Sequence, residues 1–235
     1  MKHYLYAIVD RLPARWCPPT AGIAGAPVVP RRIEEVVVLA SQLDSVPPAN
    51  PRTLALHQDV VATVVDAGAT LPFRYGVAMP AAEVEGWLAG HRASVTEALG
   101  AVRGCVEMSV KLLGLEGAIA HGLAGARAGT GPVEPSERDL QTLAEALAER
   151  AALSRWRYQP AGSGGHVAAA VAFLVPRSDL AGFLARIAPV ASHAAGIAVV
   201  PTGPWAPCSF VPELDRAPLS RMPTEAPAGL ARRAG

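Results

Sequence analysis

The chain carries few charged side chains, and the charges that it has are balanced. Charged residues make up 17% of the sequence, whereas an average soluble domain has about 25%. The 21 basic and 20 acidic residues leave a formal net charge of +1. Phosphate binding requires a clustered basic excess, so this composition argues against nucleic acid as the main ligand. A surface with little charge also exposes more apolar area, which favours a protein partner.

Cysteine is scarce, and its positions exclude two kinds of site. Cys17, Cys105 and Cys208 are odd in number and lie far apart in the sequence. Neither a disulfide framework nor a CxxC metal site can be built from them. We therefore expect three buried, reduced thiols in a reducing compartment.

Long hydrophobic runs are also missing from the sequence. The apolar run at residues 4–9 is too short for the core of a signal peptide. The longest apolar run, at residues 167–175, is too short to span a bilayer as a helix. We therefore expect a cytoplasmic protein that makes no membrane contact.

No arrangement of residues typical of a catalytic or metal centre is present. None of the six histidines belongs to an HxH, HExxH or HxxxH motif, and no G-x-S-x-G elbow occurs. The glycine-rich segments 22–25 (GIAG) and 162–165 (GSGG) lack the helix that a phosphate-binding loop requires. His57 and His91 are interpreted as satisfied histidines on helices. The sequence therefore predicts no enzyme, no metal site and no cofactor.

Hydrophobic periodicity predicts several helices and short strands. The predicted helices cover residues 51–67 and 81–99, and two more begin at the caps Ser136 and Ser178. The predicted strands are 4–9, 33–39, 71–76 with its turn, 105–112, 167–175, 197–200 and 205–211. Residues 11–32 are predicted to be a loop. The strand at 105–112 is the best defined, because apolar and polar residues alternate along it.

The order of these elements predicts an α+β protein built from two small two-layer sandwiches, ferredoxin-like or related, with largely antiparallel sheets. We divide the chain into an N-terminal α+β domain at 1–113, a linker at 114–135 and a C-terminal domain at 136–211. The Pro-, Ala- and Arg-rich tail at 212–235 is predicted to be disordered.

Three charged residues lie in otherwise apolar segments. Arg74 belongs to the segment 71–76, and Glu107 and Lys111 share one face of the strand 105–112. Charges in such places usually pair, because burying an unpaired charge costs solvation free energy on the order of several kcal/mol. One interpretation is a general acid or base beside an anion site; the other, which we prefer, is an Arg74–Glu107 pair that fixes two strands or an interface.

Trp205 stands between two prolines in the segment 203–207 (GPWAP). Prolines stiffen the backbone, so the indole is held with little entropy left to lose. The sequence leaves two interpretations open: Trp205 fills a core, or it is a binding anchor of the kind common at interfaces.

Four blocks of sequence resemble the gas vesicle protein F/L family. They are the strand 4–9 (YLYAIV), the segment from His57 to 71–76 (LPFRYG), the strand 104–111 (GCVEMSVK) and the segment 202–211 (TGPWAPCSFV). The likeness covers about residues 3–113 and 166–211. Ala206 and Cys208 depart from the family pattern, which has proline and tyrosine there.

The resemblance implies an accessory protein of gas vesicle assembly with a ferredoxin-like C-terminal domain. Its partners would be the small hydrophobic shell protein and other vesicle accessory proteins, and it would lie in the cytoplasm in association with gas vesicles. The residues expected to bind the partner or to brace the structure are Arg74, Glu107, Lys111 and Trp205. The alternative is a ferredoxin-like small-molecule-binding protein or enzyme with a pocket near Arg74 and His57.

Overall fold

The computed structural model of the chain describes residues 1–114, 136–160, 167–193 and 197–211. In chain order, its strands are β1 (Lys2–Val9), β2 (Val29–Ile33), β3 (Val36–Leu43), β4 (Thr70–Pro72), β5 (Ala78–Pro80), β6 (Cys105–Gly114), β7 (Trp156–Pro160), β8 (Val167–Pro176) and β9 (Ile197–Trp205). Its helices are α1 (Pro51–Ala62), α2 (Glu83–Val102), α3 (Glu137–Ala151) and α4 (Leu180–His193).

The strands form two sheets in which all neighbours are antiparallel. The first sheet has the order β2-β3-β1-β4, with β5 also paired to β1, and the second has the order β7-β8-β6-β9. The predicted α+β class with antiparallel sheets is therefore confirmed.

The first sheet is buried on both faces instead of one. Side chains of β1 and β3 alternate between two cores, so that Tyr4 and Leu39 pack with α1 while Leu5 and Val38 pack with α2. This sheet therefore has helices on both sides, whereas the sequence led us to expect two layers.

Most boundaries differ from the predicted ones by a few residues, and the predicted cap Ser178 lies within a 3-10 turn at Arg177–Asp179 that precedes α4. Three differences are larger. The strand predicted at 33–39 contains a turn, because Glu34 adopts a left-handed conformation with φ of 52°; β2 and β3 form a hairpin around it, and β2 falls in the predicted loop. Helix α1 ends at Ala62 instead of residue 67. The strand predicted at 205–211 is wrong, because β9 ends at Trp205 and a short 3-10 turn follows at Cys208–Phe210.

The second sheet takes in a strand that the sequence division had placed in the N-terminal domain. β6 pairs only with β8 and β9 among the described strands, because its apolar face, with Met108 and Leu112, packs under α3 and α4. The predicted domain boundary at residue 113 would therefore separate β6 from its partner strands β8 and β9. From β6 to β9, the described strands and α-helices follow the order β-α-β-β-α-β, which a ferredoxin-like sandwich requires. The ferredoxin-like assignment itself stays a prediction. The predicted tail at 212–235 and the predicted linker beyond Gly114 lie outside the described residues.

The two sheets are joined through a backbone junction and a shared core. The Gly104 N–H donates to the Gly68 carbonyl at 2.9 Å, and the Arg177 N–H donates to the Gly104 carbonyl at 3.0 Å. Ala172 and Leu174 of β8 pack into the same core as α2 and the first sheet. The halves are thus fixed to each other, which positions the groove described below.

Candidate functional site

The first two family-like blocks meet at a buried histidine. His57, on α1, accepts a hydrogen bond from the Tyr4 hydroxyl at its Nδ1 (2.8 Å), and its Nε2–H donates to the Phe73 carbonyl (2.9 Å). The rings of Tyr4, Tyr6 and Tyr75 surround the imidazole at centroid distances of 5.6–6.0 Å. The helix is placed by a capping box at Asn50, whose side chain accepts from the Thr53 N–H. His57 therefore ties α1 to β1 and to the turn after β4.

Burial lowers the pKa of His57, because the imidazolium loses its solvation inside this ring cluster, while the hydrogen bond to the Phe73 carbonyl acts in the opposite direction. Both ring nitrogens are engaged by protein groups in the neutral form. The interpretation of His57 as a satisfied core histidine agrees with this geometry.

The His57 geometry makes the free energy of unfolding depend on pH. Because the pKa of the folded state lies below the usual 6.5, the unfolded chain takes up a proton first as the pH falls, and stability decreases in the window below 6.5. We expect the wild type to lose stability between about pH 7 and pH 5, and His57→Gln to lose less over the same range. Urea unfolding at several pH values measures both slopes. The other titrating groups are common to the two proteins, so equal slopes would contradict the role given to His57.

The other two blocks meet at a buried carboxylate. Glu107 lies on β6 with 7% of its surface exposed. Its Oε2 accepts from the Ser209 N–H at 2.7 Å, and its Oε1 accepts from the Ser209 hydroxyl at 2.8 Å. Burial raises the pKa of Glu107, and the two donors of Ser209, together with the charge of Arg157, partly offset that rise. Glu107 thus holds the chain that follows β9.

The predicted pair between Arg74 and Glu107 is wrong. Among the ion pairs of the described residues, none joins these two side chains, and Ser209 occupies both oxygens of the carboxylate. Arg74 is exposed and lines a separate groove of about 560 Å³ together with Arg157 and Ser209. A sequence cannot reveal that a backbone N–H more than a hundred residues away will satisfy a carboxylate.

The segment after β9 closes the structure across both halves. Ala206 is buried in the core with α1, and Phe210 is buried in the core with α2. The guanidinium groups of Arg155 and Arg157 lie 5.6 and 5.8 Å from the centre of the Phe210 ring. Two residues of the segment 203–211 are therefore part of the hydrophobic cores.

Trp205 is the large apolar side chain of that segment that stays exposed. Its side chain is 47% exposed, and its indole N–H makes one long hydrogen bond, 3.4 Å to the Thr202 hydroxyl. Of the two interpretations left open by the sequence, the core plug is excluded by this exposure. A large exposed aromatic ring on a stiff segment is instead typical of a binding anchor.

An irregularity in β9 aims Trp205 at one face of the sheet. Glu107 pairs with Trp205, and Ser109 pairs with Thr202, so β9 contains one residue more than β6 between these pairs. The extra residue makes a β-bulge, which Gly203 permits with its φ of +126°. Directly opposed residues of antiparallel strands share a face. Trp205 therefore lies on the same face of the sheet as Glu107, which is the polar face of β6 predicted from the sequence.

A groove of about 460 Å³ lies between this face and α1. Its floor is formed by Glu107, Ser109 and Lys111 with their neighbours on β9, and its wall by α1. Three of the four residues singled out from the sequence thus line one groove: Glu107, Lys111 and Trp205. Arg74 is outside it.

The alternative of a small-molecule pocket near Arg74 and His57 gains no support from the geometry. His57 borders the 460 Å³ groove but is engaged at both ring nitrogens, and Arg74 lines the separate 560 Å³ groove. A third cavity, of about 630 Å³, lies between the β2–β3 hairpin and α2, and three ion pairs cross or flank it. Within the described ranges, no group of three or more His, Cys, Asp or Glu side chains could hold a metal ion.

The cysteines correct one expectation. Cys17 and Cys208 are exposed, and Cys105 is only half-buried. The expectation of three buried thiols is therefore wrong for two of them. Burial raises the pKa of Cys105, and the charges of Arg155 and Arg177 partly offset that rise.

As for membrane spans, no helix in the described part of the chain is both long and apolar enough to cross a bilayer.

Comparison with known proteins bears on the whole chain. The family model for the gas vesicle synthesis protein GvpL/GvpF matches residues 2–131 and 133–212. The crystal structure of gas vesicle protein GvpF from Microcystis aeruginosa is similar with a TM-score of 0.68 and 15% identity, over 90% of this chain and 99% of that one. The crystal structure of gas vesicle protein GvpF from Anabaena sp. PCC7120 gives a TM-score of 0.69 and 18% identity, over 90% and 96%.

At these identities the two structures show a shared fold, and no curated protein sequence matches the chain at a significant level. The family model is more informative, because its two matched segments leave out only the first residue, residue 132 and the last part of the tail. The resemblance found in the four sequence blocks is thereby confirmed. The chain belongs to the gas vesicle synthesis protein GvpL/GvpF family, which serves gas vesicle assembly and is not a known enzyme family.

Proposed function

We propose that this chain is an accessory protein of gas vesicle assembly that binds the small hydrophobic shell protein in the cytoplasm and acts without catalysis. The observation that carries the proposal is the exposure of the Trp205 side chain beside residues that the fold buries, Ala206 and Phe210. An anchor held ready in this way costs little entropy when a partner binds.

The proposed task follows from the physical problem of an apolar building block. A small subunit with a large apolar surface aggregates unless that surface is covered before the subunit joins the wall. A protein with few charges and an exposed aromatic anchor can cover such a surface and release it at the growing end. The chain would then accompany the shell protein to the vesicle and associate with it there, beside the other accessory proteins.

Co-expression with the shell protein tests this function. We expect the shell protein to pellet when expressed alone, and to remain partly in the supernatant and to co-purify with a tagged copy of this chain. A tagged globular protein of similar size and low charge serves as the control. If the shell protein pellets equally in both cases and none is recovered with the tag, the proposed function is wrong.

A second measurement follows the tagged chain in vesicle-forming cells. We expect part of it to float with the intact vesicles and the rest to stay in the cytoplasmic fraction. Complete absence from the floating layer would restrict the role to a step before assembly.

A further inference from the structure

The groove between α1 and the β6–β9 face has the chemistry of a docking site for an amphipathic segment. We propose that it binds a segment of the shell protein that places apolar side chains on Trp205 and Val200 and a carboxylate on Lys111. This inference rests on the proposed function and assigns its surface.

The apolar part of the groove runs along two elements. Val61 of α1 and Val65, just after the end of that helix, form one side, and Pro204 and Trp205 form the other. Val200, 37% exposed, lies further along β9 on the same face, since it is paired with Lys111. Large exposed apolar side chains are few in the described residues, and two of them lie on this one strand. The distribution favours a partner that is itself apolar along one side.

The charge in the groove is positive and is located at one end. Two of its lining residues carry a formal charge, Glu107 and Lys111, and the carboxylate of Glu107 is buried on Ser209. Lys111 is exposed, and none of the ion pairs found among the described residues involves it. A partner that covers this ammonium group without a carboxylate would leave it desolvated and unpaired, which is costly. The complementary occupant is therefore acidic at one point.

The distance between Trp205 and Lys111 defines the occupant further. Trp205 is opposite Glu107 and Val200 is opposite Lys111, so the aromatic anchor and the cation are separated by four residues along β6. At 3.3 Å per residue, that is about 13 Å. The acidic residue of the partner would then lie about nine residues from its apolar anchor in a helix, or about four in an extended segment.

Binding measurements with four variants test this assignment. The probe is the shell protein co-purified with the full chain, and the readout is the dissociation constant after separation in mild detergent. We expect Trp205→Ala to weaken binding about thirtyfold, in the range of a hot-spot residue, and Lys111→Glu to weaken it about tenfold or more. Lys111→Arg should bind within about twofold of the wild type, because the charge is kept.

Leu184→Ala is the matched control. Leu184 is 40% exposed on α4, which packs on the opposite face of the second sheet, so its truncation removes apolar surface away from the groove. We expect binding within about twofold of the wild type for this variant. Thermal unfolding of each variant shows whether its fold is intact.

The possible results separate this inference from the proposed function. If the wild type fails to bind, the proposed function itself is wrong. If the wild type binds and Trp205→Ala and Lys111→Glu bind as well as Leu184→Ala, the shell protein docks elsewhere, and the groove assignment is overturned while the function stands.

Discussion

Gly203→Ala is expected to lower the free energy of unfolding by about 2–4 kcal/mol. Gly203 has a φ of +126°, a region that residues with a Cβ rarely adopt. A Cβ at this position would lie 2.9 Å from both the Glu107 carbonyl oxygen and the Met108 sulfur. The carbonyl belongs to the backbone of β6 and cannot yield without breaking the pairing of β6 with β9. Strain and steric overlap therefore act together.

The same substitution at Gly86 should have the opposite sign. Gly86 lies inside α2, where an added Cβ meets no atom within 4 Å. Alanine favours the helix over glycine, so we expect a gain of about 0.5–1 kcal/mol. Urea denaturation of the two variants and the wild type measures both changes. If Gly203→Ala is as stable as the wild type, the bulge in β9 does not depend on glycine.

The second large effect is expected at Glu107, where alanine and glutamine should differ sharply. Glu107→Ala removes both acceptors of Ser209 and leaves its backbone N–H without a partner at a half-buried position. We expect a loss of about 2–3 kcal/mol. Glu107→Gln keeps the shape, its amide oxygen can accept from the N–H, and its NH₂ can donate to the Ser209 hydroxyl. The loss should then stay below about 1 kcal/mol.

Glutamine also removes a titrating group, which gives an independent measurement. Because burial raises the pKa of Glu107 above 4.5 in the folded state, its contribution to stability is complete below 4.5 and is lost as the pH rises through the folded value. The wild type should therefore lose stability relative to Glu107→Gln as the pH rises from 4.5. Denaturation of both proteins on either side of this window measures the difference, and a constant difference would rule out a raised pKa.

The sequence predicts those parts of the fold that depend on local periodicity. Alternation along β6 places Glu107, Ser109 and Lys111 on one face, and the structure has them there. Asn50 and Ser136 cap their helices as expected. These features depend on neighbours in the chain, so a single sequence contains the information that is needed.

Features that depend on distant or unusual contacts could not be predicted in this way. The β2–β3 hairpin turns at Glu34 with a positive φ, for which a glycine or asparagine would be the usual signal. Glu107 is satisfied by Ser209 instead of the arginine that its charge suggested. The division of the sequence places β6 in the N-terminal domain, whereas the strand pairs with β8 and β9, which come much later in the chain.

The position of β9 at the edge of the second sheet limits the ways in which a partner can bind. Pro201 and Pro204 lie within this strand and have no N–H, and the bulge interrupts its regular pairing. A further strand, from a shell subunit or from a second copy, would meet a backbone that lacks donors at two places. A continuous backbone ladder at this edge is therefore disfavoured, and attachment through side chains is favoured instead.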